Sequence, residues 1–76
     1  MDFKQDYFDV WAKAWNFHKK YANMSGTEED WKQAIDEAER IVSRYEETEK
    51  RCFVQSLLLA VIKELERKRK EDEKNG

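Results

Sequence analysis

His18, Cys52, Ser25, Ser43 and Ser56 are the side chains of this chain suited to attack an electrophile or relay a proton near neutral pH. Cys52 follows Lys50 and Arg51 and falls in the first turn of a prospective helix, a setting that stabilises a thiolate. A catalytic cysteine also needs a positioned base, so a core or interface cysteine is the simpler reading. His18 reads more simply as a half-buried ring satisfied by a carbonyl or carboxylate than as a base or ligand. None of the serines lies in a glycine-flanked or nucleophile-elbow context, so a triad with His18 would rest on residue types alone. One Cys and one His fall short of a zinc donor set, and a single Cys forms no internal disulfide. The expectation is a non-enzyme with no cofactor, no metal and no evident small-molecule substrate.

The run Arg67, Lys68, Arg69, Lys70 could hold phosphates, and Trp11 or Trp15 could stack on bases. Glu64, Glu66, Glu71, Asp72 and Glu73 surround that run and nearly cancel it. Cations are also stabilised at a helix C-terminus with no ligand present. The whole chain carries 15 basic and 17 acidic residues, a net charge of -2, which gives no strong field for drawing in nucleic acid or an anionic membrane, so neither partner is favoured. The longest apolar run, Leu57 to Ile62, is far short of the roughly 20 residues a membrane span needs. Met1 to Asp6 has no uninterrupted apolar run, so neither a secretory signal nor a transit peptide is expected, and the default setting is reduced and cytoplasmic.

What remains is apolar surface. Phe3, Tyr7, Val10, Ala14, Phe17 and Tyr21 form one stripe at alternating steps of four and three, and Phe8, Trp11, Trp15, His18 and Ala22 form a second beside it. One stripe is enough to seat a helix on a core, so the second suggests a partner. The simplest place for Trp11, Trp15 and Trp31 is nonetheless the core. Burying all three would contribute on the order of 15 kcal/mol before chain entropy is subtracted. Any tryptophan left exposed becomes a hot-spot candidate.

These patterns predict three helices. The first runs from about 2 to 23 with Asp2 at its positive end, and Asn23-Met24-Ser25-Gly26 closes it with Gly26 free to turn left-handed. Thr27 can accept from the amide of Asp30 and start a second helix over 28–47, carrying Trp31, Ala34, Ile35, Ala38, Ile41, Val42 and Tyr45 on one face. Residues 46–51 contain neither Gly nor Pro, but the apolar phase slips there, which places a tight turn near Glu47 to Glu49. The other solution is a single long rod in a domain-swapped dimer. The third helix, 50–72, is apolar nearly all round from Cys52 to Ile62. It then gives way to a charged C-terminal end, 67–76, that pairs Glu64 with Lys68 and Glu66 with Lys70 and frays toward Gly76.

The whole chain, 1–76, is therefore read as one all-α domain, an antiparallel three-helix bundle. A domain of this length buries only about 60% of the surface of its unfolded chain. Two amphipathic neighbours cannot surround the third helix, so part of Leu57, Leu58, Leu59, Val61 and Ile62 stays open for a second copy.

Trp15-x-Phe17-His18-Lys19, Trp31, Arg44-Tyr45 and Phe53-x-x-x-Leu57-Leu58-Leu59-Ala60-Val61 resemble small uncharacterised proteins of phages and conjugative elements in Gram-positive gut bacteria. The resemblance covers the chain, implies a three-helix fold and a mobile-element context, and carries no site residues with it.

The leading expectation is association with another protein, as a homodimer or an adaptor, through Phe8, Trp11, Trp15, His18, Leu58, Leu59 and Ile62. The alternative is an accessory protein bound to nucleic acid through Arg67, Lys68, Arg69 and Lys70.

Overall fold

In a computed structural model the chain folds as three helices, α1 (Phe3–Tyr21), α2 (Glu28–Ser43) and α3 (Arg51–Asn75). The backbone is described for residues 2–75 and side chains for residues 2–71. Among these residues there is no strand. Successive helices run antiparallel, so α1 and α3 lie parallel with α2 against both. Tyr7 and Trp11 meet Phe53 near the start of α3, while His18 and Ala22 line a depression with Glu64 and Lys68 further along it. The fold is the all-α three-helix bundle that the periodicity predicts.

Both predicted N-caps form. The Asp2 carboxylate accepts from the amide of Gln5, and the Thr27 hydroxyl accepts from the amide of Asp30. Asp30 reaches back in turn: its carboxylate accepts from the Ser25 hydroxyl at 2.5 Å and the Gly26 amide at 3.2 Å. Gly26 has φ +81, the left-handed conformation that only glycine adopts without strain, and the Arg69 guanidinium lies where a β-carbon would stand. The turn and the start of α2 are thus fixed by a reciprocal set of local bonds, a variant of the capping box.

The second joint breaks earlier than the sequence suggests, and without glycine or proline. α2 ends at Ser43 rather than 47, because the amides of Arg44, Tyr45 and Glu46 bond three residues back instead of four and tighten the chain. Thr48 then holds the reversal. Its hydroxyl donates to the Tyr45 carbonyl at 2.7 Å and accepts from the Lys50 amide at 3.2 Å. Such side-chain bonds compete with helix continuation and supply the partners that an unbroken helix would have given. The helices α2 and α3 are therefore separate, not one rod.

The core is one layer thick. Val10, Ala14, Phe17 and Tyr21 from α1, Ala34 and Ala38 from α2, and Val54, Leu58 and Leu65 from α3 are buried. The two alanines let α2 approach α3 closely. Phe3 belongs to the predicted core stripe but is 68% exposed, and it stacks on Tyr7 at the start of α1. Ile35 likewise leaves the predicted face of α2 and is 44% exposed. Across the α1–α2 seam, Lys20 pairs with Glu37 at 2.6 Å and the Tyr21 hydroxyl donates to the same carboxylate.

The charged end differs in its pairing. Arg67 holds Glu64 with two donors and Glu71 with a third, so the partner of Glu64 is Arg67, not Lys68. The helix continues through Asn75. The expected fraying toward Gly76 concerns side chains beyond residue 71 that lie outside the described residues.

Two outcomes follow for stability. Thr48→Ala removes both hydroxyl bonds and should cost about 1 kcal/mol in urea unfolding at unchanged helicity. The Ser25 hydroxyl, then the amides at the turn, hold the Asp30 carboxyl below its ordinary value of 3.8. A depressed folded value means this stabilisation is fully present above the ordinary carboxylate range and is lost as pH falls through the folded value. Asp30→Asn should therefore be less stable than the parent at pH 7, and in an acid titration the difference should shrink as pH falls through the depressed folded value.

Candidate protein interface

The second stripe of α1 turns outward. Phe8, Trp11 and Trp15 are 60%, 51% and 70% exposed, while Val10, Ala14, Phe17 and Tyr21 of the first stripe, one step away, are in the core. This overturns the placement of Trp11 and Trp15 in the core. A bundle only 20 × 17 Å across has room between its helices for one stripe from each, so the neighbouring stripe is left on the surface. Trp31 is partly buried and packs against the core.

The aromatic face reaches beyond α1. Trp11 and Tyr7 each set a ring edge-on to Phe53 of α3, with centroids 5.7 Å apart, and Phe3 stacks on Tyr7 at 5.1 Å. Lys50 lies over the Tyr7 ring at 5.5 Å. Edge-on pairs of this kind contribute about 0.5–1.5 kcal/mol beyond their burial, enough to hold Trp11 in a set orientation. Tyr7 and Phe53 were not singled out as interface residues. The signal that could have found Phe53 is the adjacent phase of α1 and α3, which becomes visible only once their parallel course is known.

The other candidates divide. Leu58 is 1% exposed and belongs to the core, and it forms part of the floor of a furrow between α2 and α3. Leu59 is 48% exposed, and with the half-buried Ile62 it lines the same furrow together with Ile35, Ala38 and Val42. Leu59 is six residues from Phe53, a rotation of roughly 240° on a helix. It therefore lies on the opposite flank of α3 from the aromatic face. The seven residues expected in one interface form two surfaces and a core position.

His18 is half-buried at the far end of the stripe, where it lines a depression of about 300 Å³ with Tyr21, Met24, Glu64, Lys68 and Arg69. Cys52 is exposed at the start of α3, twelve residues before Glu64 and so about 18 Å along the helix from it. The Ser25 hydroxyl is spent on Asp30. These groups do not converge. Among the described residues no set of three or more His, Cys, Asp or Glu could hold a metal ion, and no helix is long and apolar enough to cross a membrane.

Of the basic cluster, Arg67 is clamped by Glu64 and Glu71, which raise its pKa, and Arg67 in turn lowers that of Glu64. Arg69 lies over Gly26. Lys68 and Lys70 are exposed.

The contrast between the two stripes of α1 is measurable. Phe17→Ala empties a core position that is 1% exposed and should cost about 3–5 kcal/mol, much of the stability of a domain this small. Trp15→Ala should change the unfolding free energy measured in urea by less than about 1 kcal/mol at protein concentrations where the chain is monomeric. No family model, curated protein or solved structure matches this chain.

Proposed function

We propose that this protein works by association, not catalysis, and that its partner is a second copy of the same chain seated on the aromatic face of α1. One observation carries the reading: three large aromatic rings, Phe8, Trp11 and Trp15, stand more than half exposed at helical spacing on one face. Monomeric proteins rarely leave contiguous apolar surface of more than a few hundred Å². At roughly 200 Å² for each ring, the exposed parts of Phe8, Trp11 and Trp15 alone offer about 360 Å². A standard interface takes about 800 Å² from each partner, so these three residues supply nearly half of it before their neighbours are counted. Tryptophan and tyrosine are also the side chains that dominate binding energy where they are desolvated.

A stripe with one central residue suits a two-fold arrangement, in which Trp11 sits near the axis and Phe8 of each copy faces Trp15 of the other. Lys4 and Lys19 flank the stripe and stay in solvent at its ends. The reduced, cytoplasmic setting and the mobile-element context that the residue resemblance implies belong to the same reading. The nucleic-acid alternative has less support, because Arg67 and Arg69, half of its cluster, are engaged within the chain.

Light scattering on a sizing column tests the dimer over a range of concentrations. A mass near twice 9.3 kDa, insensitive to salt, is expected for the parent, and a mass near 9.3 kDa for Trp11→Ala with Trp15→Ala at unchanged helicity. A parent that stays monomeric at about 100 μM, an affinity too weak for a specific interface of this size, removes the proposal.

A further inference from the structure

The furrow between α2 and α3 is a second surface with its own chemistry. It is an open trough of about 640 Å³ whose floor is Ala38 and Leu58, both buried. Ile35 and Val42 form one wall and Leu59 and Ile62 the other, and Ile35 and Leu59 are about half exposed. Two antiparallel helices with a small residue between them leave a groove into which the side-chain ridge of another helix can settle. From Ile35 to Glu46 the α2 side runs eleven residues, about 16 Å or three turns, counting the turn residues as helical. An aliphatic trough of that length takes apolar anchors at i, i+3 or i+4, and i+7.

The rim decides what else the occupant carries. Glu39 from α2, Glu46 from the turn and Glu66 from α3 border the trough, and Arg51 is the one cation among its lining residues. Arg51 stands at the same end as Glu46, and Glu66 shares the Ile35 end with Arg69 and Lys70, so Glu39 is the carboxylate that borders the middle of the trough. Arg69 and Lys70 lie beyond Ile35, past its far end. Charge complementarity across an interface selects partners and orients their approach.

We infer that the α2–α3 furrow is a docking site for an amphipathic helix of another protein, about three turns long, with aliphatic anchors on one face and lysine or arginine beside them. The helix completes a four-helix arrangement around α3. The site lies on the flank of α3 opposite the aromatic face, so it can be filled whether or not the chain is dimeric, and it does not rest on the dimer.

The probe is a fluorescein-labelled peptide of about fourteen residues, long enough for the trough, with leucine on one face and lysine on its flanks, titrated by anisotropy with the full chain. The same peptide with glutamate for lysine is the control. The lysine peptide should bind about tenfold more tightly than the glutamate peptide, and Glu39→Lys with Glu66→Lys should reverse that order. Leu59→Gln, at an exposed position that leaves the fold intact by circular dichroism, should weaken the lysine peptide about tenfold, and Trp15→Ala should leave it unchanged. Equal affinity for both peptides, no measurable binding, or loss in Trp15→Ala instead of Leu59→Gln overturns the inference. A drop in oligomeric mass in Leu59→Gln also overturns it, since the furrow would then hold a second copy.

Discussion

The width of the bundle governs the rest of the molecule. At 20 × 17 Å across and 48 Å long, it leaves space between three helices for a single file of side chains, and each helix can bury one stripe. α3 spends Val54, Leu58 and Leu65 on that file, α1 spends Val10, Ala14, Phe17 and Tyr21, and α2 needs only two alanines. Every apolar group beyond the file must lie at a seam or on the surface. Trp11 and Trp15 are outside for this geometric reason, whatever their hydrophobicity. The excess is large because α1 carries two stripes where the bundle accepts one.

Most of the architecture was legible because its determinants are local. Asp2, Thr27 and Asp30 start helices through bonds to amides a few residues away, and Gly26 ends one through a backbone conformation that glycine adopts freely. The phase slip after Tyr45 also correctly required a break. Its position was not legible, because it depends on a pair of hydrogen bonds made by one hydroxyl: Thr48 could equally have pointed into solvent from a continuous helix. The Lys20–Glu37 pair and the Arg69–Gly26 approach were invisible for another reason, since each joins elements whose relative rotation no pattern along the chain records.

The candidate site was legible in its residues and not in its grouping. Phe8, Trp11 and Trp15 were expected to face a partner, and their outward orientation agrees with the surplus counted along α1. On α3, an apolar belt from Cys52 to Ile62 offers no polar side from which to orient the helix, so Leu58 could not be told from Leu59. One residue is a rotation of about 100°, which carries the first into the core and the second to the rim. Interface residues and core residues are the same types, and only the directions of α1 and α2 around α3 separate them.

That division of α3 has a consequence for how a small protein of this kind can work. Its flank toward α1 is continuous with aromatic rings, large and rigid, which gain affinity by desolvation and suit a permanent partner. Its flank toward α2 is aliphatic, open and bordered by carboxylates, so recognition there depends on charge as well as burial and is weakened by salt. A single helix therefore presents two surfaces of different physical character on opposite sides, with the buried line of Val54, Leu58 and Leu65 between them. Filling one flank covers no residue of the other. Coupling between the two could pass only through the close-packed core, where small shifts are resisted by the one-layer packing, so the two surfaces are expected to bind independently to first order.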